Sequence, residues 1–276
     1  MTMTTDKQGA SALPHGLPVP YLTSGSHDSP EEGLCLIEAA AYHAGKPHSD
    51  HADGVCPVLG AFGRALNDGP WPSDKARTEA LGPLVAKLVG TRSTVAVERA
   101  RAAFLAQRAL TVYAPLALDA AAASLERFGI DCAKLRAATL ALRERPSLET
   151  ATAARAAARA ADAAAYAAAA AARADARASA SARAAEEGHH AEVCASRASR
   201  AAYAAYAAAS AAVYAAAAAY AAADAAAYAA AAAARAAATG ADASTASGDL
   251  TVLCLAADDL RAACEITEAT FESAAD

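Results

Sequence analysis

The chain has few of the large side chains that usually form a protein core. Aromatic residues make up 5% of its 276 positions, with one tryptophan and four phenylalanines among them. Most of the apolar fraction is alanine, and apolar burial contributes only about 0.8 kcal/mol per buried carbon. The apolar content of 55% therefore overstates the hydrophobic drive to fold.

Positive charge is also scarce. Lys and Arg number 24 against 30 Asp and Glu, which gives a formal net charge of −6. Binding to nucleic acid or to an anionic membrane depends on clustered Lys and Arg. We therefore expect neither nucleic acid nor membrane as a partner.

One uncharged segment, residues 201–223, is long enough to cross a bilayer. It lacks Leu, Ile and Phe, and its tyrosines lie along its whole length instead of at its two ends. We expect this segment to remain outside a membrane.

The amino terminus lacks a basic start followed by an apolar run, so we expect no secretory signal. Residues 1–28 are rich in Pro, Ser, Gly and Thr, which predicts a disordered arm. Six cysteines without an export signal favour reduced thiols and a cytoplasmic location.

Proline is absent after Pro146, and this change of composition divides the chain. We expect a helical head over 29–146, an alanine-rich helical region over 147–239, a linker over 240–248 and an amphipathic C-terminal helix over 249–276. No stretch alternates apolar and polar residues convincingly, so the predicted fold class is all-α.

The head is predicted to be a series of short helices. Ser29 can cap the first, with Pro30 at its first position and Glu32 completing a capping box, and it should end near His43. Pro115 should break or kink the chain. Further helices are expected near 57–68, 74–89, 94–114, 116–128 and 131–144. The closing helix should begin at a cap on Asp249 and continue to Phe271.

Alanine occupies 56 of the 89 positions from 151 to 239. The larger residues recur mostly at steps of three and four, with steps of six or seven where a turn contains only alanine, and this spacing keeps them on one helical face. They form two stripes: Arg155, Arg159, Asp162, Tyr166, Arg173, Arg177, and then Arg200, Tyr203, Tyr206, Ser210, Tyr214, Tyr220, Asp224, Tyr228, Arg235. The pattern predicts either a hairpin of two long helices, 148–187 and 191–238, or several shorter stacked helices.

A cluster of polar residues in the head has the side chains of a metal site. Zinc accepts nitrogen, sulfur and oxygen ligands, and an open position could activate a water with Glu38 as the base. The spacing matches no established zinc motif, and a polar loop with the two cysteines in the core is the alternative. The candidate ligands are Cys35, Glu38, His48, Asp50, His51 and Cys56.

Three stretches of the head resemble a known family. They are SPEEGLCLIEA at 29–39, HSDH at 48–51 and CPVLGAF at 56–62. The family consists of alanine-rich hypothetical proteins from bacteria and phages, in which a short head precedes tracts of Ala, Tyr, Arg and Asp. The resemblance covers most of residues 29–240. It implies the division into head and alanine-rich region, and it implies no activity.

The sequence favours a non-enzymatic interaction or scaffold protein. Its alanine surfaces with ordered Tyr and Arg stripes suit association with a protein partner or with a second copy. Two alternatives stay open. One is a metal-binding head that could act as a metal-dependent hydrolase, and the other is a toxin-neutralising or phage-interference protein. Apart from zinc bound at such a head, we expect no cofactor.

Overall fold

The computed structural model describes residues 21–127, 129–178 and 247–269, together with the single residues 190, 193 and 203. Regular structure in these ranges is helical, apart from an isolated parallel bridge between Leu22 and Leu34. The predicted all-α class is confirmed. None of the helices in these ranges is long and apolar enough to cross a membrane, and of the uncharged segment 201–223 only Tyr203 is described.

The helices follow one another closely through the head. Their bounds are α1 (Leu36–His43), α2 (Pro57–Asn67), α3 (Asp74–Leu81), α4 (Val85–Leu88), α5 (Val95–Arg108), α6 (Ala114–Glu126), α7 (Ala133–Glu144), α8 (Leu148–Ala178) and α9 (Ser247–Cys264). The helix predicted over 74–89 is divided, because Pro83 has no N–H to continue the α-helical ladder. A 3₁₀ turn, Gly82–Leu84, joins α3 to α4 there.

The first helix begins later than the sequence predicts. Its cap is Cys35, whose sulfur accepts the Glu38 N–H at 3.5 Å, while the Glu38 carboxylate accepts the Cys35 N–H at 2.7 Å. This reciprocal pair is a capping box. The predicted start at Ser29 is wrong because Gly33, at φ +153°, turns the chain, and residue 34 then pairs in extended conformation with Leu22.

The segment before residue 29 also differs from the prediction. Leu22 is fully buried, and the Thr23 N–H donates to the Leu34 carbonyl at 3.0 Å. Residues 21–28 are therefore part of the head, and the predicted boundary of the disordered arm at residue 28 is too late. Residues 1–20 lie outside the described ranges.

Pro115 does not break the chain. A π-helical turn, Ala109–Tyr113, joins α5 to α6, and the Ala114 N–H donates to the Ala109 carbonyl five residues back. Proline cannot donate to the carbonyl four residues before it, and a wider turn accommodates the missing bond. The predicted interruption is thus a local change of helical pitch.

The C-terminal helix packs across α2 and α5 and closes the core. Leu253, Ala257 and Leu260 are buried on one face, as the three-four spacing predicts. The helix bounds differ from the prediction: α9 begins at Ser247, inside the predicted linker, and ends at Cys264. Phe271 lies beyond the described residues.

Helix α8 lies along α7 and also contacts α6. Its buried face is a row of alanines at steps of three and four, namely Ala151, Ala154, Ala158, Ala161, Ala165 and Ala169. At 1.5 Å per residue, a helix of 31 residues is about 46 Å long. The predicted second arm, 191–238, falls outside the described ranges apart from residues 193 and 203.

Candidate functional site

Glu38 lies at the centre of a buried polar cluster in the head. The first turn of α1 places its side chain inward, where the residue is only 1% exposed. Its carboxylate accepts the His27 N–H at 2.8 Å, the His27 Nδ1–H at 2.8 Å and the Cys35 N–H at 2.7 Å. A buried carboxylate needs such donors to remain charged.

The same hydrogen bonds set the ionisation of Glu38. Burial raises the pKa of the Glu38 carboxyl, but the donors from Cys35 and His27 outweigh burial and hold that pKa below its usual value. Hydrogen bonds to the charged form favour that form. Glu38 is therefore ionised at neutral pH.

Three side chains in this cluster form a hydrogen-bonded chain. The Nδ1 atom of His27 faces Glu38 at 2.8 Å, and its Nε2 atom lies 2.8 Å from Thr23 Oγ1. An ionised carboxylate only accepts, so the proton of a neutral His27 ring is on Nδ1. Its Nε2 then accepts from the Thr23 hydroxyl. We call Thr23, His27 and Glu38 the relay.

His48 borders the relay without joining it. Its Nε2 lies 2.8 Å from the His27 carbonyl oxygen and therefore donates to it, and it is 3.8 Å from Glu38 Oε1. The Nδ1 atom is buried and has no hydrogen-bond partner among the described residues. The sequence predicts His48 as a metal ligand. In the structure, it instead holds the backbone at residue 27 through its hydrogen bond to the His27 carbonyl.

The other three predicted ligands lie apart from Glu38. His51 and Asp50 form an exposed pair, with Nδ1 and Oδ1 2.7 Å apart. Cys56 is buried at the start of α2, where its N–H donates to Thr91 Oγ1 at 3.0 Å.

The predicted metal site is therefore not assembled from these six residues. Cys35, Glu38 and His48 come together, while Asp50, His51 and Cys56 do not join them. Across the ranges that the structure describes, no group of three His, Cys, Asp or Glu is placed to hold a metal ion. Zinc binding stays a prediction, and this geometry supplies no ligand set for it.

A second buried network fixes the C-terminal helix to the head. Asp259 of α9 accepts from Arg108 Nε at 2.8 Å on both carboxylate oxygens, and the buried Tyr113 hydroxyl donates to it as well. Burial and the Asp259 charge raise the pKa of Tyr113 well above its usual value, so the hydroxyl keeps its proton. Sequence reasoning missed this network, because about 150 residues separate its members and no motif connects them.

The opposite face of α8 is open. It carries a second alanine row at steps of three and four, and every member is exposed: Ala153, Ala156, Ala160, Ala163, Ala167 and Ala170. We call this row the open face. The predicted stripe lies along one edge of it, with Arg159 and Tyr166 exposed and Arg155 and Asp162 half-buried.

Comparisons of the whole chain with protein-family models, curated proteins and solved structures found no match. The resemblance of most of residues 29–240 to alanine-rich bacterial and phage proteins therefore stays a prediction.

Proposed function

We propose that the protein is a helical interaction protein that associates through the open face of α8. The observation that carries the proposal is the two-sided character of this helix. One alanine row is buried on the side of α8 that contacts α7 and α6. The other presents the same three-four spacing to solvent. The open row has the same spacing of methyl groups as the row that packs in the head, so it is suited to packing against another helix.

The energetics favour a reversible association. Burying six alanine methyls from each of two helices contributes on the order of 10 kcal/mol at about 0.8 kcal/mol per carbon. Lost translational and rotational freedom costs about 4–15 kcal/mol on association. The gain from burial and the cost of association nearly cancel, so the fraction of protein in the complex should depend on protein concentration.

A second copy of the chain is the partner that the open face favours. A two-fold antiparallel pairing of two α8 helices centred near Ala160 sets the exposed alanine row of one copy against the same row of the other. The row carries no charge, so like charges do not oppose each other across its centre. Such a self-complementary patch is what a two-fold interface requires.

Sedimentation velocity over a series of protein concentrations tests this proposal. The wild-type mass should rise with concentration. Ala160→Glu places an unpaired carboxylate in the centre of the open face and should weaken association at least tenfold. Ala137→Glu makes the same change on the exposed side of α7 and should leave association unchanged. Circular dichroism of both variants checks that the helices persist.

Two results contradict the proposal. One is a wild-type monomer at every accessible concentration. The other is association that Ala160→Glu and Ala137→Glu weaken equally, because the open face would then have no special part in it.

A further inference from the structure

We propose that the relay of Thr23, His27 and Glu38 activates the Thr23 hydroxyl as a nucleophile toward small carboxylic esters. The inference does not depend on association through α8. It rests on two consecutive contacts of 2.8 Å, from Thr23 Oγ1 to His27 Nε2 and from His27 Nδ1 to Glu38 Oε2.

The ionised carboxylate of Glu38 fixes the position of one proton, on His27 Nδ1. In the neutral ring, Nε2 then presents its lone pair to the hydroxyl of Thr23. A hydroxyl, an imidazole and a carboxylate in this order form the arrangement in which histidine acts as a general base. The carboxylate also stabilises the imidazolium that forms when the proton moves.

The chain at residues 23–27 is held in place on several sides. The Thr23 carbonyl accepts from Asn67 Nδ2 at 2.8 Å, the Gly25 N–H donates to Asp68 Oδ1 at 2.7 Å, and His48 holds the His27 carbonyl. Because these contacts fix the backbone, the hydroxyl and the imidazole keep their alignment without reorganisation, which is the condition for efficient catalysis.

Thr23 and His27 lie near the surface of the head, whereas Glu38 is buried. Thr23 is half-buried, the His27 side chain is 12% exposed, and the intervening residues 24–26 are exposed. Gly33 packs directly against both side chains, since a Cβ there would lie 2.5 Å from Thr23 Oγ1 and 2.8 Å from the His27 ring. This placement suits a small acyl group that approaches from solvent.

The reaction balances with water as the only co-reactant. Thr23 Oγ1 bonds to the ester carbonyl carbon, and its proton passes to His27 Nε2. The tetrahedral intermediate collapses, the ester C–O bond breaks, and the leaving oxygen takes that proton as the free alcohol. Water then attacks the acyl-threonine with His27 as base, which releases the carboxylic acid and restores the Thr23 hydroxyl.

The probe is 4-nitrophenyl acetate with the full-length protein. Mass spectrometry of peptides from short reaction times should locate an acetyl group on Thr23. Thr23→Val replaces the hydroxyl by a methyl of similar size and should abolish that adduct. His27→Gln should slow Thr23 acylation by about 10²–10⁴-fold, the usual contribution of a general base.

Ser24→Ala is the matched control. Ser24 is the exposed neighbour of Thr23, and its loss should leave acylation of Thr23 unchanged. Circular dichroism and the fluorescence of Trp71 check that each variant keeps its fold.

A comparison within the wild-type protein keeps the test decisive if the His27 variant fails to fold. Activation means that Thr23 is acetylated at least tenfold faster than Ser24 and the exposed Thr152. Equal rates at the three hydroxyls would overturn the proposal, because the Thr23–His27 contact would then only brace the turn.

Discussion

Replacing Asp259 with alanine should destabilise the head severely, because it removes the group that fixes α9. Asp259 is 6% exposed and has two partners, the Arg108 guanidinium and the Tyr113 hydroxyl. Tyr113 is fully buried on the π-helical turn, so its hydroxyl cannot reach bulk water unless that turn moves.

The magnitude follows from what the substitution leaves behind. Tyr113 is fully buried, and an unpartnered buried hydroxyl costs about 1–3 kcal/mol. Removing one member of a buried ion pair costs about 3–5 kcal/mol. The Arg108 side chain is 27% exposed and recovers part of its hydration, so the lower end of that range applies. We expect Asp259→Ala to lower the free energy of unfolding by about 3 kcal/mol.

The neighbouring residue supplies a matched control. Asp258 is 63% exposed and pairs with Arg261 one turn along the same helix. An exposed pair of this kind contributes little, so Asp258→Ala should change the free energy of unfolding by about 0.5 kcal/mol or less.

Urea unfolding followed by Trp71 fluorescence measures both variants. Trp71 is the only tryptophan, it is buried, and its indole N–H donates to the Leu66 carbonyl at 2.8 Å. It lies beside Gly69, whose surroundings include Leu253 of α9, so its signal reports the junction of α9 with the head. Equal losses for Asp258→Ala and Asp259→Ala would refute the reasoning.

Two further predictions concern the relay and its support. The lowered pKa of Glu38 stabilises the fold above the usual value of 4.5, and this contribution is lost as pH falls toward the folded-state pKa. Unfolding free energies from pH 6 to pH 3 should therefore fall more steeply for the wild type than for Glu38→Gln, and equal slopes would contradict this. Gly33→Ala should lower the free energy of unfolding by more than about 2 kcal/mol, because the new Cβ would meet Thr23 and His27 at a positive φ. Gly45→Ala is the control: it has a φ of +63° but open space around the Cβ, so it should lower the free energy of unfolding by only about 1 kcal/mol. Similar denaturation midpoints for the two variants would contradict the close contact at Gly33.

The parts of the fold that the sequence predicts well are those that a local pattern specifies. The buried face of α9 follows from the spacing of Leu253, Ala257 and Leu260. Ser73 caps α3 through the Ala76 N–H at 3.2 Å, as its position before the helix indicates. In each case the partners lie within a few turns of each other, so periodicity and capping rules are sufficient.

The misplaced start of α1 has a physical reason. Ser29, Pro30 and Glu32 form a local helix-start pattern, but the extended pairing of residues 22 and 34 competes with it and prevails. Leu22 gains complete burial in that arrangement, and Gly33 supplies the backbone conformation that it needs. Because this burial depends on two residues that are 12 positions apart, no local sequence pattern indicates it. The tertiary contact therefore overrides the helix cap that Ser29 could form.

The relay was missed for the same reason. Thr23 and His27 lie in a segment whose composition predicts disorder, and only the packing of Leu22 brings them to Glu38. Glu38 itself was found, since a carboxylate on an apolar helix is conspicuous in a sequence. Its partners were expected among later histidines, because the sequence shows only that His48 and His51 are close along the chain.

The alanine helix raises a different problem, that of register. Rows of identical methyl groups pack almost equally well after a shift of one turn, so the contact between α7 and α8 cannot fix its own alignment. The start of α8 does so: the Thr150 N–H donates to Ser147 Oγ at 3.2 Å, and the Ser147 N–H donates to Thr150 Oγ1 at 3.1 Å.

This reciprocal cap directly follows α7 and sets where α8 begins, which determines the alignment of its buried row. No such cap can align a second copy on the open face. In the proposed dimer, the alignment would have to come from unlike residues at the edge of the open face, such as the exposed Arg159. The methyl rows would then supply the contact area, and the stripe residues would select the register. In coiled coils, the apolar core and the flanking charges divide these two roles in the same way.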